Sequence, residues 1–300
     1  MINSNKLKIT LEERKALLLV SPALILIICV AVIPVINIFY LSLYRYLLVF
    51  NIKYFVGFNN YIHLFQDSRF WNSFFNNLYY TFFSVSIELV LGLAIALMLC
   101  RQFKGRGLLR TGILIPWIIP TVIAAKTWDI FLNTQDGLIN NTFVFLGLMQ
   151  HKFNWLGDPF WAMNFAILAD VWKYTPFMCL LLLGGLSLIP EELYEAAYVD
   201  GANKLQRFWN ITLPLLMPSI LVALLFRTMD TFSAFSIIYV LTNGGPANST
   251  EIMAIYSYKT LFQTLQFGYG SAIAVFIFLC VAFISVFYIY MFSYKTKGVD

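Results

Sequence analysis

Six apolar stretches, each long enough to cross a membrane as a helix, constrain this chain more than any other feature of its sequence. A helix rises about 1.5 Å per residue, so roughly 20 apolar residues cross a hydrocarbon core about 30 Å thick. Because the 300 residues are 60% hydrophobic and only 12% charged, an ordinary soluble fold is excluded. The sequence therefore predicts an all-α, polytopic membrane protein. Its six transmembrane helices are predicted at residues 17–44, 76–100, 108–132, 160–184, 215–241 and 270–293.

Basic residues are divided unequally between the two sides of these helices. Twelve of the 20 Lys and Arg residues lie on the side that holds both termini, and five lie on the other side. Since basic residues concentrate in cytoplasmic connections, both termini are predicted to be cytoplasmic. The predicted organisation is a head (residues 1–16), one six-helix transmembrane domain (17–293) and a tail (294–300). The net charge of +5 reflects this topology and gives no reason to expect nucleic acid as a partner.

The connection at about residues 190–212 is polar and patterned, although it joins two apolar helices. Pro190 and the acidic residues after it are typical of a helix start, and Gly201 permits the left-handed turn that ends many helices. A second short helix is predicted from about Asn203. The first helix is acidic, so repulsion from an anionic leaflet disfavours the alternative that it merely lies on lipid. We interpret it as a docking surface for another protein, formed by Glu195, Ala196, Ala197, Asp200, Gly201 and Ala202.

The spacing within this connection resembles a known family. The pattern consists of the Glu-Ala-Ala triplet at 195–197, Gly201 after three intervening residues, and the Ile-x-Leu-Pro sequence at 211–214. It resembles the cytoplasmic coupling loop of permease subunits in bacterial ABC importers. The resemblance covers about residues 17–293 and points to the maltose and glycerol-phosphate branch. It implies the type I ABC importer permease fold and the import of a carbohydrate, either an oligosaccharide or a sugar derivative. Further segments that resemble the same subunits are 55–61, 106–111 and 239–246.

The resemblance also implies a set of partners. Permeases of this type work in a bacterial inner or plasma membrane with a second permease subunit, two ATPase subunits that dock on the coupling loop, and an extracytoplasmic solute-binding protein. The sequence has no Gly-x-x-x-x-Gly-Lys-Ser/Thr motif, so ATP cannot be bound here by that route. We therefore expect a transport subunit and not an enzyme. This chain would bind no cofactor, with ATP and Mg²⁺ on the partner subunits and membrane lipid around it.

Cysteine and histidine residues predict no metal site. The four cysteines are isolated in or beside apolar helices, and the two histidines lie in separate connections. No Cys-x-x-Cys spacing and no paired carboxylates with a spacing suited to catalysis occur in the sequence. We therefore predict neither a metal ligand nor a catalytic residue.

Ionisable residues inside the predicted helices are costly and are functional candidates by default. Six of them form three oppositely charged pairs, three residues apart, so each pair is predicted to neutralise itself on one helix face. Glu88 has no opposite charge within one turn of its own helix. Either it pairs with Lys173 or Arg227 on another helix, or it is protonated. It lies on a stripe of small and polar residues that is suited to face protein or a cavity. The seven residues are Glu88, Lys126, Asp129, Asp170, Lys173, Arg227 and Asp230.

Two helices carry the mixture of polar groups and aromatic rings that sugar recognition requires. The residues at 170, 173, 174 and 177 share one face of the fourth helix by their spacing. In importers resembling this chain, corresponding parts of the fourth and fifth helices line the substrate cavity. The alternative for each residue is that it packs within the bundle without touching substrate. A lysine on this face would also suit an acidic carbohydrate, so the charge of the substrate is left open. The predicted substrate path comprises Asp170, Lys173, Tyr174, Phe177, Asp230, Phe232, Ser233, Ser236 and Glu88.

A second function class is an ion-coupled secondary transporter, in which Glu88 and Asp230 would carry protons. The sequence shows no convincing internal repeat, which disfavours this class. Uptake that survives ATP depletion but collapses with a protonophore would distinguish it from the ATP-driven class.

Overall fold

The computed structural model describes residues 11–296, and the side chains of residues 18–291. Within that range the chain is helical apart from one two-stranded hairpin, which confirms the all-α prediction. Five described helices are long and apolar enough to cross a membrane, and a sharply bent pair makes a sixth if it counts as one span. Residues 1–10 of the predicted head and 297–300 of the predicted tail lie outside the described residues.

The first span leads into a connection that is more ordered than its sequence suggested. A hairpin follows the span, and a short helix folds back beneath it. The Asn60 side chain joins the parts, because its amide donates to the carbonyl oxygens of Ser42 at 2.7 Å and Tyr44 at 2.9 Å. The elements are α1 (Leu11–Ile27), α2 (Ile33–Ser42), β1 (Tyr44–Leu47), β2 (Ile52–Phe55) and α3 (Asn59–Gln66).

The second span begins eight residues earlier than predicted, because Asp67 caps its first turn. The Asp67 carboxylate accepts a hydrogen bond from the Arg69 amide at 2.8 Å, which satisfies one free N–H of the helix start. The elements of this central part are α4 (Ser68–Cys100), α5 (Arg106–Ile118), α6 (Thr121–Leu132), α7 (Leu138–Phe145) and α8 (Pro159–Leu186).

The helix predicted over 108–132 is not continuous but is divided into α5 and α6. The axes of α5 and α6 meet at 93°. Pro120 has no amide hydrogen to continue the helix, and it forces the preceding Ile119 into an extended conformation with φ −62° and ψ 131°. The third span is therefore a broken one, with its bend at residues 119–120.

The remaining elements form a two-helix loop and the last two spans. The fifth predicted helix is interrupted at 233–235, which leaves Ser233 exposed at the break. The elements are α9 (Glu191–Val199), α10 (Lys204–Arg207), α11 (Leu213–Phe232), α12 (Ser236–Leu241), α13 (Met253–Tyr258) and α14 (Phe267–Thr296).

The centre of the bundle is the contact of α4 with α8 and α11. Ser84, Glu88, Gly92 and Ala96 are all buried, so the predicted stripe faces protein. A Cβ atom at position 92 would lie 2.7 Å from Cγ of Met178, which shows that glycine permits the close approach of α4 and α8. This close contact positions the buried charges described below.

Candidate functional site

One arginine gathers three carboxylates from three spans. The Arg227 guanidinium on α11 donates to both oxygens of Glu88 on α4, at 2.7 and 2.8 Å. It also donates to Asp170 on α8 at 3.1 Å and to Asp230 one turn away at 2.6 Å. The side chains of Arg227, Glu88 and Asp170 are 3% exposed or less, whereas that of Asp230 is 61% exposed. Because this buried ion network joins α4, α8 and α11, it fixes how the three helices pack.

The structure decides between the predicted charge pairs. Glu88 pairs with Arg227, one of its two predicted partners. The Lys126–Asp129 pair forms as predicted, at 2.6 Å on an exposed surface. The predicted neutralisation of Asp170 by Lys173 is wrong, since the carboxylate of Asp170 binds Arg227 instead.

The amine of Lys173 lies at the bend of the third span. It donates to the carbonyl oxygen of Ile119 at 2.5 Å and is 3.3 Å from that of Trp117. These carbonyl groups lost their helical partners where Pro120 ended α5. Lys173 is buried, so it acts as a charged cap for the broken helix end.

Replacing Lys173 with Met should destabilise the protein by about 1–3 kcal/mol, because the carbonyl groups at the bend lose a charged donor. The measurement is thermal unfolding in detergent. Lys126→Met is the matched control, since exposed pairs contribute less than about 1 kcal/mol. Equal losses for the two variants would contradict a capping role for Lys173.

The neighbours of Lys173 on α8 connect the bend with the buried ion network. The Tyr174 ring lies 4.1 Å from the Arg227 guanidinium carbon, within the range of a cation–π interaction. Its hydroxyl is 3.5 Å from that of Thr121, directly after the bend. The Phe177 ring stacks on Trp117 with centroids 5.9 Å apart. One face of α8 therefore contacts both features.

The predicted residues of the fifth span separate into two groups. Asp230 and Ser233 are exposed and Ser236 is half-buried near the break in this span. The Phe232 ring is instead 2% exposed and packs in a separate cluster with Phe70, so in this structure it does not line the face that carries Asp230.

The two-helix loop has the predicted form. α9 ends in a left-handed turn at Gly201 (φ 77°), and the Gly201 and Ala202 amides donate to the carbonyl oxygens of Tyr198 and Ala197 at 3.0 and 2.9 Å. Asn203 and Gln206 then form a capping box at the start of α10. The loop is therefore a defined structure that ends in a glycine-dependent turn.

The predicted docking residues form an accessible surface. Glu195, Ala196, Asp200 and Gly201 are exposed, and Ala197 and Ala202 are half-buried. Two apolar side chains beside them are also open to solvent, with Tyr198 71% and Val199 84% exposed. The predicted docking residues therefore have exposed apolar side chains next to them.

A second ion cluster lies at the ends of the spans opposite the two-helix loop, and the sequence analysis did not predict it. The Glu251 carboxylate is fully buried and accepts from Arg69 at 2.6 and 2.8 Å and from Lys259 at 2.8 Å. Arg69 and Glu251 are 182 residues apart in the sequence, so no spacing could predict their contact. Burial alone would raise the pKa of Glu251, but the hydrogen bonds from Arg69 and Lys259 outweigh it and lower this pKa below its usual value.

Acid should destabilise the protein partly through Glu251. Because its folded pKa lies below its unfolded value of about 4.3, its ion pairs stabilise the fold above that value and lose this effect as pH falls through the lowered pKa. Thermal unfolding should therefore show a fall in wild-type stability below about pH 4 that is smaller in Glu251→Gln. Glu192→Gln, which removes an exposed carboxylate, is the control and should keep the wild-type profile. Identical profiles for wild type and Glu251→Gln would refute this role.

The spans, the broken helix and the exposed two-helix loop define the class as a polytopic helical membrane protein. A model of the family described as "Binding-protein-dependent transport system inner membrane component" matches residues 88–297. The chain belongs to this family, which confirms the resemblance found in the sequence.

Individual proteins show how far the similarity extends. The chain is 42% identical over 278 residues to the trehalose/maltose transport system permease protein MalF of Thermococcus litoralis, with 93% of each chain covered. It is 41% identical over 288 residues to the trehalose transport system permease protein SugA of Mycobacterium tuberculosis, covering 96% of this chain and 91% of that protein. A chain in the crystal structure of a bacterial ABC transporter involved in import of the acidic polysaccharide alginate superposes with a TM-score of 0.82 at 25% identity, covering 94% and 96% of the two chains.

Proposed function

We propose that this chain is the transmembrane permease subunit of an ATP-driven importer that carries a carbohydrate across a bacterial cell membrane. It would work with a second permease subunit, two ATPase subunits that bind ATP and Mg²⁺, and an extracytoplasmic solute-binding protein. Residues 17–293 would form the permease domain, with both termini and the 190–212 loop in the cytoplasm. The similarity to sugar permeases over more than nine-tenths of the chain supports this proposal.

The observation that carries the proposal is the two-helix loop. The small side chain of the exposed Ala196 would let an ATPase subunit approach closely, and the exposed carboxylates of Glu195 and Asp200 would pair with its cationic groups. Tyr194 connects this helix to the membrane domain, because its hydroxyl lies 3.0 Å from that of Thr212 at the start of the fifth span. When the ATPase subunits close around ATP, they would therefore pull α9 and shift the fourth and fifth spans. This shift would turn the substrate cavity between the spans from inward-facing to outward-facing.

The substrate path in this proposal follows the break in the fifth span. Asp230 would accept hydrogen bonds from sugar hydroxyl groups, and the Ser233 hydroxyl would accept or donate them. Tyr174 and Phe177 would offer ring surfaces to the C–H faces of the sugar. Ser236 would extend the path beyond the break. Glu88, Asp170 and Lys173 are buried in ionic or capping contacts, and they would hold this path in shape rather than touch the sugar.

The charges along this path favour a neutral carbohydrate. The exposed charge is the carboxylate of Asp230, which would repel an acidic sugar. The Lys173 amine, which would attract one, donates to carbonyl groups at the bend. The two permeases reported above are named for trehalose and maltose, which are neutral, whereas the similar crystal structure is of an importer of the acidic polysaccharide alginate. The inference therefore rests on Asp230 and Lys173.

An ion-coupled secondary transporter is disfavoured. Both oxygens of Glu88 are bound by Arg227, which removes the freedom that a proton carrier requires. The family is described as a component of binding-protein-dependent transport systems, and the similar proteins are named as permeases of sugar transport systems.

The experiment is to purify the complex with its binding protein and to measure which sugar stimulates ATP hydrolysis. We expect a neutral disaccharide such as trehalose or maltose to stimulate the rate several-fold, and an oligosaccharide of uronic acids to have no effect. Stimulation by the acidic oligosaccharide alone would overturn the inference on charge. Failure to recover an ATPase subunit with the permease would overturn the proposed function.

A further inference from the structure

A large cavity lies on the same side of the bundle as the coupling loop. Its volume is about 1100 Å³, and its walls come from the end of α4, the start of α5, the end of α8 and the segment from α9 to α11. None of the six proposed coupling residues lines it, so the cavity is separate from the surface proposed to bind the ATPase.

The rim of this cavity is strongly basic. Five cationic side chains line it, together with one acidic residue, Glu191. None of the five forms an ion pair with a carboxylate among the side chains of residues 18–291. The Nε atom of Arg207 is buried and has no hydrogen-bond partner in the described part of the chain. A buried, unpaired guanidinium N–H is costly, so this rim is suited to an anion. The five are Arg101, Arg106, Arg110, Lys204 and Arg207.

The floor of the cavity is apolar. Leu183 and Leu186 are buried in the α8 wall, and Leu97 and Leu180 continue the apolar lining between α4 and α8. A small, fully hydrated anion would gain nothing from these residues. The combination of a cationic rim and an apolar floor fits a molecule with an anionic head and a hydrocarbon tail.

We propose that this cavity binds an anionic phospholipid from the leaflet on the coupling-loop side. Basic pockets between membrane helices recognise phosphate headgroups of such lipids, because charge pairing and hydrocarbon burial act together. The phosphate would lie among Arg106, Arg207 and their basic neighbours, with an acyl chain against the leucines. The lining includes Glu191 and Tyr194 of α9, so the lipid would also hold the coupling helix in position. Calling this leaflet cytoplasmic rests on the proposed orientation, but the binding itself does not.

The test is native mass spectrometry of the complete complex, purified in detergent and stripped of loosely held lipid. Dioleoyl phosphatidylglycerol, dioleoyl phosphatidylcholine and inorganic phosphate are added separately. We expect phosphatidylglycerol to bind each permease chain at least tenfold more tightly than phosphatidylcholine. Each basic residue near an anionic headgroup contributes roughly fivefold to binding, so the double variant Arg106→Gln/Arg207→Gln should weaken binding roughly 25-fold. Lys53→Gln/Lys152→Gln, which removes two cations outside the cavity lining, should bind as the wild type does.

Three outcomes would overturn this inference. One is equal retention of the two lipids, or equal loss in the cavity variant and the control variant. Another is displacement of phosphatidylglycerol by millimolar inorganic phosphate, which would identify the site as one for a free anion. The third is lipid binding that appears only after the ATPase subunits are removed, which would assign the rim to the ATPase. Lipid retention is measured independently of transport. A complex that retains no lipid but shows sugar-stimulated ATP hydrolysis would refute the lipid site and leave the proposed function standing.

Discussion

Replacing Arg227 with Met is expected to destabilise the permease by about 3–5 kcal/mol, because it leaves Glu88 and Asp170 as uncompensated charges in the interior. Unfolding of the purified complex in detergent measures the change. The exposed pair of Lys126 and Asp129 again provides the control, since Lys126→Met removes a cation of the same charge from a solvated position. We expect the control to change stability by less than about 1 kcal/mol.

A variant with so large a loss of stability is also expected to accumulate poorly in the membrane. Combining Arg227→Met with Glu88→Gln and Asp170→Asn removes the unpaired charges and should restore part of the membrane level. This recovery separates electrostatic imbalance from a packing defect at position 227. If the triple variant accumulates no better than Arg227→Met alone, the network is held together by packing and not by charge.

Replacing Gly201 with Val is expected to lower sugar uptake at least tenfold while leaving the membrane domain folded. A Cβ atom at this position meets no atom within 4 Å, so the effect comes from the backbone, whose φ of 77° a β-branched residue adopts poorly. The C-terminal turn of α9 would shift, and with it Asp200 and Ala202. Uptake and ATP hydrolysis in proteoliposomes should become uncoupled.

Two matched variants refine this prediction. Gly112→Val places the same side chain in equally open space on α5, at ordinary helical backbone angles, and should leave uptake near the wild-type rate. Gly201→Asn should retain more uptake than Gly201→Val, because asparagine tolerates the left-handed conformation. Similar losses in all three variants would exclude the turn at Gly201 as their cause.

Local physical chemistry explains why much of this fold could be predicted from the sequence. Apolar length predicts the spans, and the turn at Gly201 and the cap at Asn203 depend on residues within a few positions of each other. The stripe containing Glu88 was predicted to face protein because its small residues recur at helical spacing, and these residues are buried.

Features that depend on tertiary contacts could not be predicted in the same way. The i,i+3 spacing of Asp170 and Lys173 suggested a pair, but Arg227 from another helix binds the carboxylate while the lysine caps a helix broken at Pro120. The sequence did contain a signal for the bend, Pro120, but a prediction from apolar length alone does not use it. The pairing of Arg69 with Glu251 had no local signal.

The most direct test of ATP-driven import is sugar uptake by the complex reconstituted in proteoliposomes. The binding protein and labelled sugar are placed on the extracytoplasmic side of the membrane, and ATP is placed on the side that holds the ATPase subunits. We expect uptake that requires ATP hydrolysis and the binding protein, persists in the presence of a protonophore, and is lost with Gly201→Val. Uptake that continues without ATP and collapses when the proton gradient is removed would contradict ATP-driven import.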